Sequence, residues 1–459
     1  MRLLRNPTTS TASTTASSSP PVVSLRINRK RHDADEMYYR AVVTDSPDWD
    51  MLIGYSDCQI IGKGSYGEVV SARAPSGVEV AIKRVEILED NQSSDWENGL
   101  RLLREIYFLR SVKHPNLASL VSLFPNNPSS SFFRQIYLIS NYFKDGSLTG
   151  FSPSTLFDIV SIQHQLLSAL SYLHANNVIH RDVKRENIFL LKNGKKIHLV
   201  LGDFGLTRTS CKNGMTSEVV TKPYRCPSLL LGETRYGSEI DIFAAGLCLM
   251  EMLLGKLHST ILPNRKIGLA NFVKHQIAIC GPPKSQNGRI WDLAERMHLD
   301  LSEIVSMKKN MDFDDRMVIE WKSMIMNDID ENIKRLGGSS KVSEGLKEMC
   351  FKMIKFDPTE RISAKTALED SLFSKFTLDL SIEDPELRES FDAEIRPLGS
   401  DDDRAFAVKN GIWDFVQKHN FVDKSFTDIF PMEQIPVAKR TRRSHKVIVS
   451  SNGNIVVPR

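Results

Sequence analysis

The chain has 459 residues, a formal net charge of +4 at pH 7, 41% hydrophobic residues and 25% charged residues. This composition is typical of a soluble globular protein and excludes wholesale disorder and a fibrous repeat. The length predicts two or three lobes or domains with tails, and the nearly balanced charge gives no support for a nucleic acid as the main ligand. The longest apolar stretch, 242–254, is interrupted by Glu251 and is too short to span a bilayer. We therefore expect no nucleic-acid partner and no membrane partner.

The cysteines indicate the compartment in which the protein works. Six of them are scattered along the chain without a Cys-x-x-Cys pair. This spacing argues against a disulfide frame and against a zinc cluster, and it favours a reducing compartment. We therefore expect an intracellular protein of the cytoplasm, the nucleus or both.

The N-terminal segment, residues 1–51, is predicted to be a disordered tail. Its first 32 residues contain no acidic side chain, and residues 8–19 are almost all Ser, Thr and Ala. Such a composition cannot bury enough apolar surface to order the chain. Arg2 and Arg5 beside this tract also fit an organellar transit peptide, although the sequence shows no amphipathic arginine-bearing helix there.

The C-terminal extension, residues 378–459, is predicted to be partly disordered. It contains three consecutive aspartates at 401–403 and a basic run at 439–443. The basic run fits a nuclear address and a solvent-exposed tail equally well.

The residues between these tails change from a strand-like to a helical pattern. Residues 59–83 are rich in Val and Ile and are broken by glycines, whereas helical periodicity begins at Trp96 and dominates from Phe157. This change predicts an α+β fold in two lobes. The small β-rich N-lobe is expected at 52–140 and the larger helical C-lobe at 141–377.

Three glycines, Gly62, Gly64 and Gly67, lie in the first strand-like segment with Gly-x-Gly-x-x-Gly spacing. Glycine allows a hairpin backbone to approach phosphate oxygens where a Cβ atom would collide. A dinucleotide-binding oxidoreductase would need a helix directly after these glycines. Instead, Glu68 and Val69 begin another strand-like stretch. The pattern therefore predicts a glycine-rich hairpin over phosphates and excludes the oxidoreductase.

A lysine follows this hairpin in the sequence Val-Ala-Ile-Lys at 80–83. Side chains alternate along a strand, so Ala81 and Lys83 share one face while Val80 and Ile82 share the other. On the first face, the small Ala81 side chain can lie against a flat ring of a ligand, and the Lys83 amine can bind phosphates. A solvent-facing strand lysine is the plainer interpretation, but the upstream glycines favour the phosphate role.

Glu105 lies within an apolar helical stripe. Leu102, Ile106 and Leu109 recur at helical spacing, and Glu105 is three residues after the first of them and four before the last. A carboxylate on a buried face requires a cation, and Lys83 is available. We predict a Lys83–Glu105 ion pair that holds the amine on phosphate; an exposed glutamate at the edge of the stripe is the alternative.

Two later segments carry the residue types that phosphoryl transfer needs. The sequence His-Arg-Asp-Val-Lys-Arg-Glu-Asn spans 180–187, and Asp-Phe-Gly follows at 203–205. A carboxylate must lie near the acceptor hydroxyl, and oxygen ligands must hold Mg²⁺. Asp182 can supply the first, while Asn187 and Asp203 can supply the second. Lys184 can contact the transferring phosphate.

Together these motifs resemble the eukaryotic serine/threonine protein kinases over about residues 55–377. The resemblance implies the two-lobed protein kinase fold, ATP and Mg²⁺ as cofactors, and protein substrates with Ser or Thr hydroxyls. It assigns catalysis to Lys83, Glu105, Asp182 and Lys184, and metal binding to Asn187 and Asp203. It assigns nucleotide binding to Ile61, Gly62, Lys63, Gly64, Ser65, Tyr66, Gly67, Glu68, Val69, Ala81, Lys83, Asn141 and Phe143, with Ser140 behind the adenine as a small side chain that predicts a roomy pocket.

Further sequences are similar to the cyclin-dependent and mitogen-activated kinases, including 104–106, 114–116 and the long insert between 255 and 345. This similarity implies a preference for proline after the target residue, supported by Arg225. It also implies activation by an upstream kinase that phosphorylates Thr216. Three arginines are expected to bind that phosphate, namely Arg104, Arg181 and Arg208. Glu218 stands where a dual site has tyrosine, which favours single phosphorylation.

The resemblance also assigns Asp241 to bracing the catalytic loop, but two sequences depart from the family pattern. Residues 99–105 differ from the cyclin-binding Pro-Ser-Thr-Ala-Ile-Arg-Glu, so a cyclin-like or other regulatory subunit at this helix stays an open question. The usual Ala-Pro-Glu is Cys-Pro-Ser at 226–228, which removes the ordinary partner of Arg361. Ser228 motivates an alternative, a kinase-like scaffold with low activity. Ser65 and Tyr66 fit inhibitory phosphorylation sites and inert loop residues equally well.

Overall fold

A computed structural model gives the fold of the chain. Ser65, Tyr66, Thr216 and Glu218, together with most of both predicted tails, lie outside the described residues. The structure describes residues 40–42, 50–52, 55–64, 67–86, 95–125, 135–209, 217, 220–255, 272–273, 276, 279–280, 289–299, 313–376, 410–412, 448–449 and 455–456.

The described part of the N-lobe contains a five-stranded antiparallel sheet and one helix. Its strand order is β3-β4-β5-β7-β6, and the helix α1 (Asp95–Ser111) connects β5 to β6 in the chain. Val, Ile and other β-branched residues pack well on such a pleated surface, which is why this part of the sequence forms strands. The strands of this sheet are β3 (Ser56–Gly64), β4 (Gly67–Arg73), β5 (Glu79–Glu86), β6 (Leu120–Pro125) and β7 (Gln135–Asn141). Two short strands precede them in the chain and form a separate pair, β1 (Arg40–Val42) and β2 (Asp50–Leu52).

The two faces of β5 divide as the sequence predicts. Val80 and Ile82 are buried in a small apolar cluster on one face of the sheet, whereas Ala81 and Lys83 are only partly buried on the other. On α1, the predicted apolar stripe is buried, with Leu102 at 3% exposure and Ile106 at 0%. The alternation predicted for β5 and the apolar stripe predicted for α1 are therefore both present.

The C-lobe is built mainly of helices around a continuous apolar core. Two short antiparallel pairs, β8–β11 and β9–β10, lie among these helices. The helices are α2 (Leu156–Ala175), α3 (Pro227–Leu230), α4 (Glu239–Leu254), α5 (Arg289–Arg296), α6 (Phe313–Leu336), α7 (Ser340–Met353) and α8 (Ala364–Leu368). The strands are β8 (Val178–Ile179), β9 (Ile188–Asn193), β10 (Lys196–Leu201) and β11 (Arg208–Thr209).

Local sequence fixes the ends of the two central helices. Thr155 and Asp158 form a capping box at the start of α2, which satisfies main-chain N–H groups that the helix leaves without partners. Gly255 ends α4 with φ 66°, a left-handed conformation that favours glycine. Asn332 on α6 then donates to the carbonyl oxygens of Met252 and Leu253, which closes the end of α4 against α6.

Short parts of the predicted tails are structured. β1 and β2 form an antiparallel pair within the N-terminal segment, and β12 (Ile448–Val449) pairs with β13 (Ile455–Val456) in the C-terminal extension. Residues 410–412 are helical, and Ile412 has no exposed surface. Main-chain pairing and one buried side chain thus add order at these points, which composition does not reveal.

Two further findings concern the described part of the chain. No helix there is both long enough and apolar enough to cross a lipid bilayer. No disulfide joins its five cysteines.

Candidate active site

The glycine-rich segment forms a β-hairpin between β3 and β4. Gly62 pairs with Val69 and Gly64 pairs with Gly67 across the two strands. Gly67 has φ 136°, and a Cβ atom built on it would lie 1.8 Å from the carbonyl oxygen of Arg84. Only glycine fits this position, because any side chain would collide with the main chain of β5. The hairpin backbone is therefore held against the strand that carries Lys83.

Charged side chains contact each other near the tip of this hairpin, beside the Gly64–Gly67 pair. The Lys63 ammonium lies 2.8 Å from the Glu68 carboxylate, and the Arg84 guanidinium lies 3.0 Å from the same group. Lys63 itself is exposed to solvent. Two of the residues predicted to bind nucleotide, Lys63 and Glu68, thus contact each other.

The predicted ion pair between Lys83 and Glu105 is present. The Lys83 amine lies 2.8 Å and 2.9 Å from the two carboxylate oxygens of Glu105, which is 8% exposed. Burial raises the pKa of Glu105, Lys83 opposes this rise, and the nearby Asp203 charge adds to it. The carboxylate therefore depends on the Lys83 charge, which ties α1 to β5.

Asp182 is the centre of a compact set of hydrogen bonds. Lys184 donates to its Oδ2 at 2.6 Å, and the Thr221 hydroxyl donates to its Oδ1 at 2.7 Å. The Asn187 amide nitrogen donates to the Asp182 main-chain oxygen at 2.9 Å and to Oδ2 at 3.0 Å. Burial alone would raise the pKa of Asp182, but Lys184, Thr221 and His180 together lower it. The carboxylate is fixed in position and ionised.

Asp203 and Asn187 lie on adjoining segments. The Gly202 main-chain N–H donates to the Asn187 carbonyl at 2.9 Å, and Asp203 is exposed with φ 62°. A left-handed conformation costs a non-glycine residue about 1–3 kcal/mol, so the surrounding contacts must maintain it. The donor set, one carboxylate and one amide oxygen beside a phosphate site, fits Mg²⁺, which binds few protein ligands and completes its coordination with phosphates and water.

Asp241 on α4 braces the catalytic loop, as the sequence predicts. Its carboxylate accepts the main-chain N–H groups of His180 and Arg181, both at 2.8 Å, and lies 3.0 Å from the His174 ring. Arg181 has φ 69°, so these two hydrogen bonds help to hold a strained backbone.

Phe204 links α1 to the catalytic loop. Its ring is fully buried, 4.1 Å from the Phe108 ring on α1 and 5.0 Å from the His180 ring. Asp182 and Asp203 both act electrostatically on His180, and burial lowers the pKa of this histidine in spite of their charges. The predicted groups from four separate segments therefore lie around one cleft.

The end of β7 and the residues after it form one wall of this cleft. Ser140 pairs with Ala81 across the sheet, and Asn141 pairs with Val80. The Phe143 ring stacks on Phe189 at 5.3 Å. A Cβ atom at Gly202 would lie 2.9 Å from the Phe189 ring, so Phe189 lies between the Phe143 segment and the residues before Asp203. The roominess expected from Ser140 stays a prediction.

Sequence analysis did not assign two residues of this site. Phe189 forms the wall just described, and Thr221 bonds to Asp182 both through its hydroxyl and through its main-chain N–H. The sequence carries a weak indication of each, because Phe189 is two residues after Asn187 and Thr221 precedes the Tyr224–Arg225 pair.

Two of the three arginines expected to bind phosphate lie near the same tyrosine. Arg181 lies over the Tyr236 ring at 5.8 Å, and both Arg181 and Arg208 act electrostatically on the Tyr236 hydroxyl. β11 places Arg208 opposite Ile179 in β8. Arg104 is buried on α1 beside Glu105. Thr216 lies outside the described residues, so its contact with these arginines stays a prediction.

Arg361 has other contacts in place of the missing glutamate. Its guanidinium donates to the carbonyl oxygens of Lys355 at 2.8 Å, Glu239 at 3.1 Å and Phe356 at 3.1 Å. It also lies over the Phe243 ring at 4.8 Å. Ser228 is buried, with its hydroxyl 3.2 Å from the Cys226 sulfur. Main-chain oxygens and an aromatic face thus compensate for the carboxylate.

One cavity in the described part of the chain lies away from this chemistry. It has a volume of about 480 Å³ and is lined by C-lobe residues that include Leu156, Phe157, Val160 and Phe376. None of the predicted site residues lines it. We place the active site by the polar constellation around Asp182, because that constellation supplies the chemical groups.

Comparisons with known proteins agree with this geometry. A family model described as a protein kinase domain matches residues 55–373. Cyclin-dependent kinase-like 4 of Mus musculus is 37% identical over 208 residues, which cover 44% of this chain and 57% of that protein. Cyclin-dependent kinase C-2 C of Arabidopsis thaliana is 40% identical over 206 residues, which cover 43% of this chain and 30% of that protein. Cyclin-dependent kinase 9 of Homo sapiens is 33% identical over 276 residues, which cover 56% of this chain and 70% of that protein.

The extent of these matches differs between relatives. This chain spans a little over half the length of the mouse protein and less than a third of the Arabidopsis protein. The residues matched by the family model, 55–373, include every residue of the site described above.

Proposed function

Because the chain belongs to the protein kinase family, we propose that it transfers the γ-phosphate of ATP to serine and threonine hydroxyls of protein substrates. The observation that carries this proposal is the arrangement around Asp182, whose carboxylate is held by Lys184, Thr221 and Asn187. The Lys83–Glu105 ion pair supports the same function.

The residues of the cleft fit ATP and Mg²⁺. The bound nucleotide supplies the phosphoryl group, and the metal neutralises its charge. Asp203 and Asn187 would hold the metal through oxygen atoms. Lys83, fixed by Glu105, would contact the phosphates, while the hairpin 61–69 covers them. Ala81, Asn141 and Phe143 would contact the base.

Asp182 is the proposed acceptor of the proton from the substrate hydroxyl. Its pKa is lowered because the charge and hydrogen bond of Lys184, with the Thr221 hydroxyl, outweigh the effect of burial. The group is therefore ionised at neutral pH and able to accept a hydrogen bond from an incoming hydroxyl. Asn187 and the Thr221 main-chain N–H fix its orientation.

Lys184 has a second proposed role beside the carboxylate. Its amine lies 2.6 Å from Asp182 and 3.0 Å from the Thr221 hydroxyl. A cation placed next to the acceptor site favours the negative charge that develops on the transferring phosphoryl group. Lys184 thus would both orient the base and stabilise the transition state.

We also propose that proline follows the target residue. Val220 has φ 63°, and its carbonyl oxygen accepts a hydrogen bond from Arg225 at 2.8 Å. This carbonyl lies next to Thr221, which touches Asp182. Arg225 already donates a hydrogen bond to this oxygen. The main-chain N–H of the substrate residue after the target would therefore lack it as an acceptor. Proline has no N–H and avoids that loss.

Activation by phosphorylation of Thr216 is a further proposal. Arg181 and Arg208 lie near one tyrosine, and a pair of guanidinium groups suits a phosphate. Arg104 would be the third ligand. An upstream kinase would supply this phosphate, and Glu218 in place of a second acceptor favours a single modification.

A regulatory contact at α1 is supported by the relatives and by position. Several relatives are named cyclin-dependent kinases. Leu103 on α1 occupies the place of the isoleucine in the Pro-Ser-Thr-Ala-Ile-Arg-Glu sequence of that group. We therefore propose that the surface around Leu103 controls the position of Glu105.

Transfer of radiolabel from γ-labelled ATP to serine and threonine peptides tests the proposed function. We expect Asp182→Asn to lower the rate by a factor of about 10³ or more, since it removes the positioned base, while nucleotide binding persists. Asp292→Asn, at an exposed aspartate of α5, is the matched control and should keep full activity.

The low-activity scaffold makes the opposite prediction. If the wild-type chain binds nucleotide but transfers no more label than Asp182→Asn, the scaffold is correct and the enzymatic proposal is wrong. Retention of Lys83, Glu105, Asp182, Asn187 and Asp203 in one cleft favours the enzyme.

A further inference from the structure

The side of α1 opposite Glu105, which we call its outer face, is also covered. Successive residues of an α-helix are about 100° apart, so Leu103 lies on nearly the opposite side of α1 from Glu105, which faces Lys83. Leu103 is nevertheless only 4% exposed. Some other part of the molecule must therefore bury it.

A segment from the C-terminal extension lies against this leucine. A Cβ atom built on Gly411 would lie 3.2 Å from Cδ2 and 3.8 Å from Cδ1 of Leu103. The next residue, Ile412, has no exposed surface and belongs to the same apolar cluster as Leu102, Leu103 and Ile106. Residues 410–412 are helical. We call this segment the tail anchor.

We propose that the tail anchor docks in cis on the outer face of α1 and holds α1 where Glu105 reaches Lys83. The occupant of this surface is thus the chain's own C-terminal extension rather than a separate regulatory subunit. Gly411 allows the close approach to Leu103, and Ile412 supplies the apolar anchor. The effect of this docking on activity rests on the proposed kinase function, whereas the docking itself does not.

The length of the chain permits this arrangement. Residues 377–409 connect the last described C-lobe residue, Phe376, to the tail anchor, a connection of 33 residues. An extended chain covers about 3.3 Å per residue, so the connection can reach about 110 Å. A kinase-sized domain is only about 40–50 Å across. The connection can therefore cross from the C-lobe to α1.

Hydrogen exchange in the full-length protein tests the docking directly. We expect Ile412→Asp to raise the exchange rates of the amides of α1 by about tenfold or more, because α1 loses its outer cover, while the amides of α4 keep their protection. Met324→Asp places the same charge on a methionine that is 48% exposed on α6, and it should leave α1 unchanged. Unchanged exchange in α1 for Ile412→Asp would overturn the proposal.

A second pair of variants keeps the test decisive if Ile412→Asp unfolds the whole chain. Gly411→Leu forces a side chain against Leu103 and should also increase exchange in α1. Adding Leu103→Ala makes room for that side chain and should restore protection. Failure of the double variant to restore it would show that the two residues do not share a contact.

Activity provides a separate readout. Loss of the tail anchor should raise the KM for ATP at least severalfold, because Lys83 loses the partner that positions it. If α1 exchange increases while the wild type transfers no phosphate, the docking is correct and the proposed function is wrong. If the wild type transfers phosphate and α1 exchange is insensitive to residue 412, the docking is wrong and the function stands.

Discussion

The catalytic loop at 180–187 and the end of the activation segment at 226–228 differ in how far they keep the residue types of the family. The loop keeps the residue types of its family and places them in hydrogen-bond contact around Asp182. At 226–228, the usual glutamate is replaced by Ser228, and Arg361 bonds instead to three main-chain oxygens. The difference shows which tasks depend on a particular side chain.

Proton transfer and metal binding need specific chemical groups. A carboxylate can accept a proton and bind Mg²⁺, and no main-chain atom replaces it in both roles. Holding a buried guanidinium is a less specific task, since any set of well-placed acceptors satisfies its N–H groups. Replacing the carboxylate by carbonyls also avoids burying a second charge, the costly part of a buried ion pair.

Among the variants that compare these two regions, the largest effect is expected in the catalytic region. Lys83→Met removes the cation that Glu105 holds, so we expect kcat/KM for ATP to fall by about 10²–10³, the usual loss for one electrostatic contact at a reacting centre. Steady-state phosphorylation of a serine peptide measures it. Lys365→Met, at an exposed lysine of α8, is the control and should match the wild type. Full activity in Lys83→Met would contradict the assigned role.

The corresponding change at the second region should affect stability instead. Arg361→Met leaves one buried and two partly buried carbonyl oxygens without their donor, so we expect a loss of about 3 kcal/mol in the free energy of unfolding. Denaturant unfolding of this variant and of Arg296→Met, at an exposed arginine of α5, measures the difference. At a temperature where both remain folded, kcat should be unchanged. A large fall in kcat without destabilisation would erase the contrast between the two regions.

Much of the catalytic region could be predicted because its information is local. Alternation along β5 predicts the face that carries Lys83, and helical spacing predicts the inward direction of Glu105; both are confirmed. The helix α1 begins one residue before the predicted Trp96. The family resemblance is confirmed as well, over residues 55–373.

Contacts between distant segments could not be predicted in this way. The stacking of Phe143 on Phe189 joins residues 46 positions apart, and Gly411 lies against Leu103 from 308 positions away. Neither contact leaves a periodic pattern in the sequence. The acceptors of Arg361 are main-chain oxygens, which every residue possesses, so the sequence cannot identify them.

A smaller effect tests whether the activation segment controls substrate choice. Arg225→Ala releases the Val220 carbonyl, which can then accept an N–H group from a residue other than proline. We expect the ratio of kcat/KM values for matched Ser-Pro and Ser-Ala peptides to fall about tenfold, the value of one hydrogen bond of roughly 1.4 kcal/mol. The change should come from faster use of the Ser-Ala peptide. An unaltered ratio of the two kcat/KM values would show that Arg225 does not determine the preference for proline.

The smallest effect distinguishes the two regions by pH. Burial lowers the pKa of His180 in the catalytic loop, whereas the segment 220–255 contains no histidine. Below about pH 6.5 this histidine is protonated in the unfolded chain, whereas burial disfavours its protonation in the folded chain. Stability is therefore fully present above pH 6.5 and declines as the pH falls, by at most about 1.4 kcal/mol per pH unit for one proton.

Denaturant unfolding between pH 5.5 and 7.5 can isolate this contribution. His180→Asn should flatten the dependence by up to one proton, because it removes the group that titrates, and comparison with the wild type at each pH cancels the other histidines. Arg361→Met should lower stability at every pH without changing the slope, since carbonyl oxygens do not titrate. Equal slopes for His180→Asn and the wild type would mean that folding does not change the protonation of His180, against its burial beside Phe204.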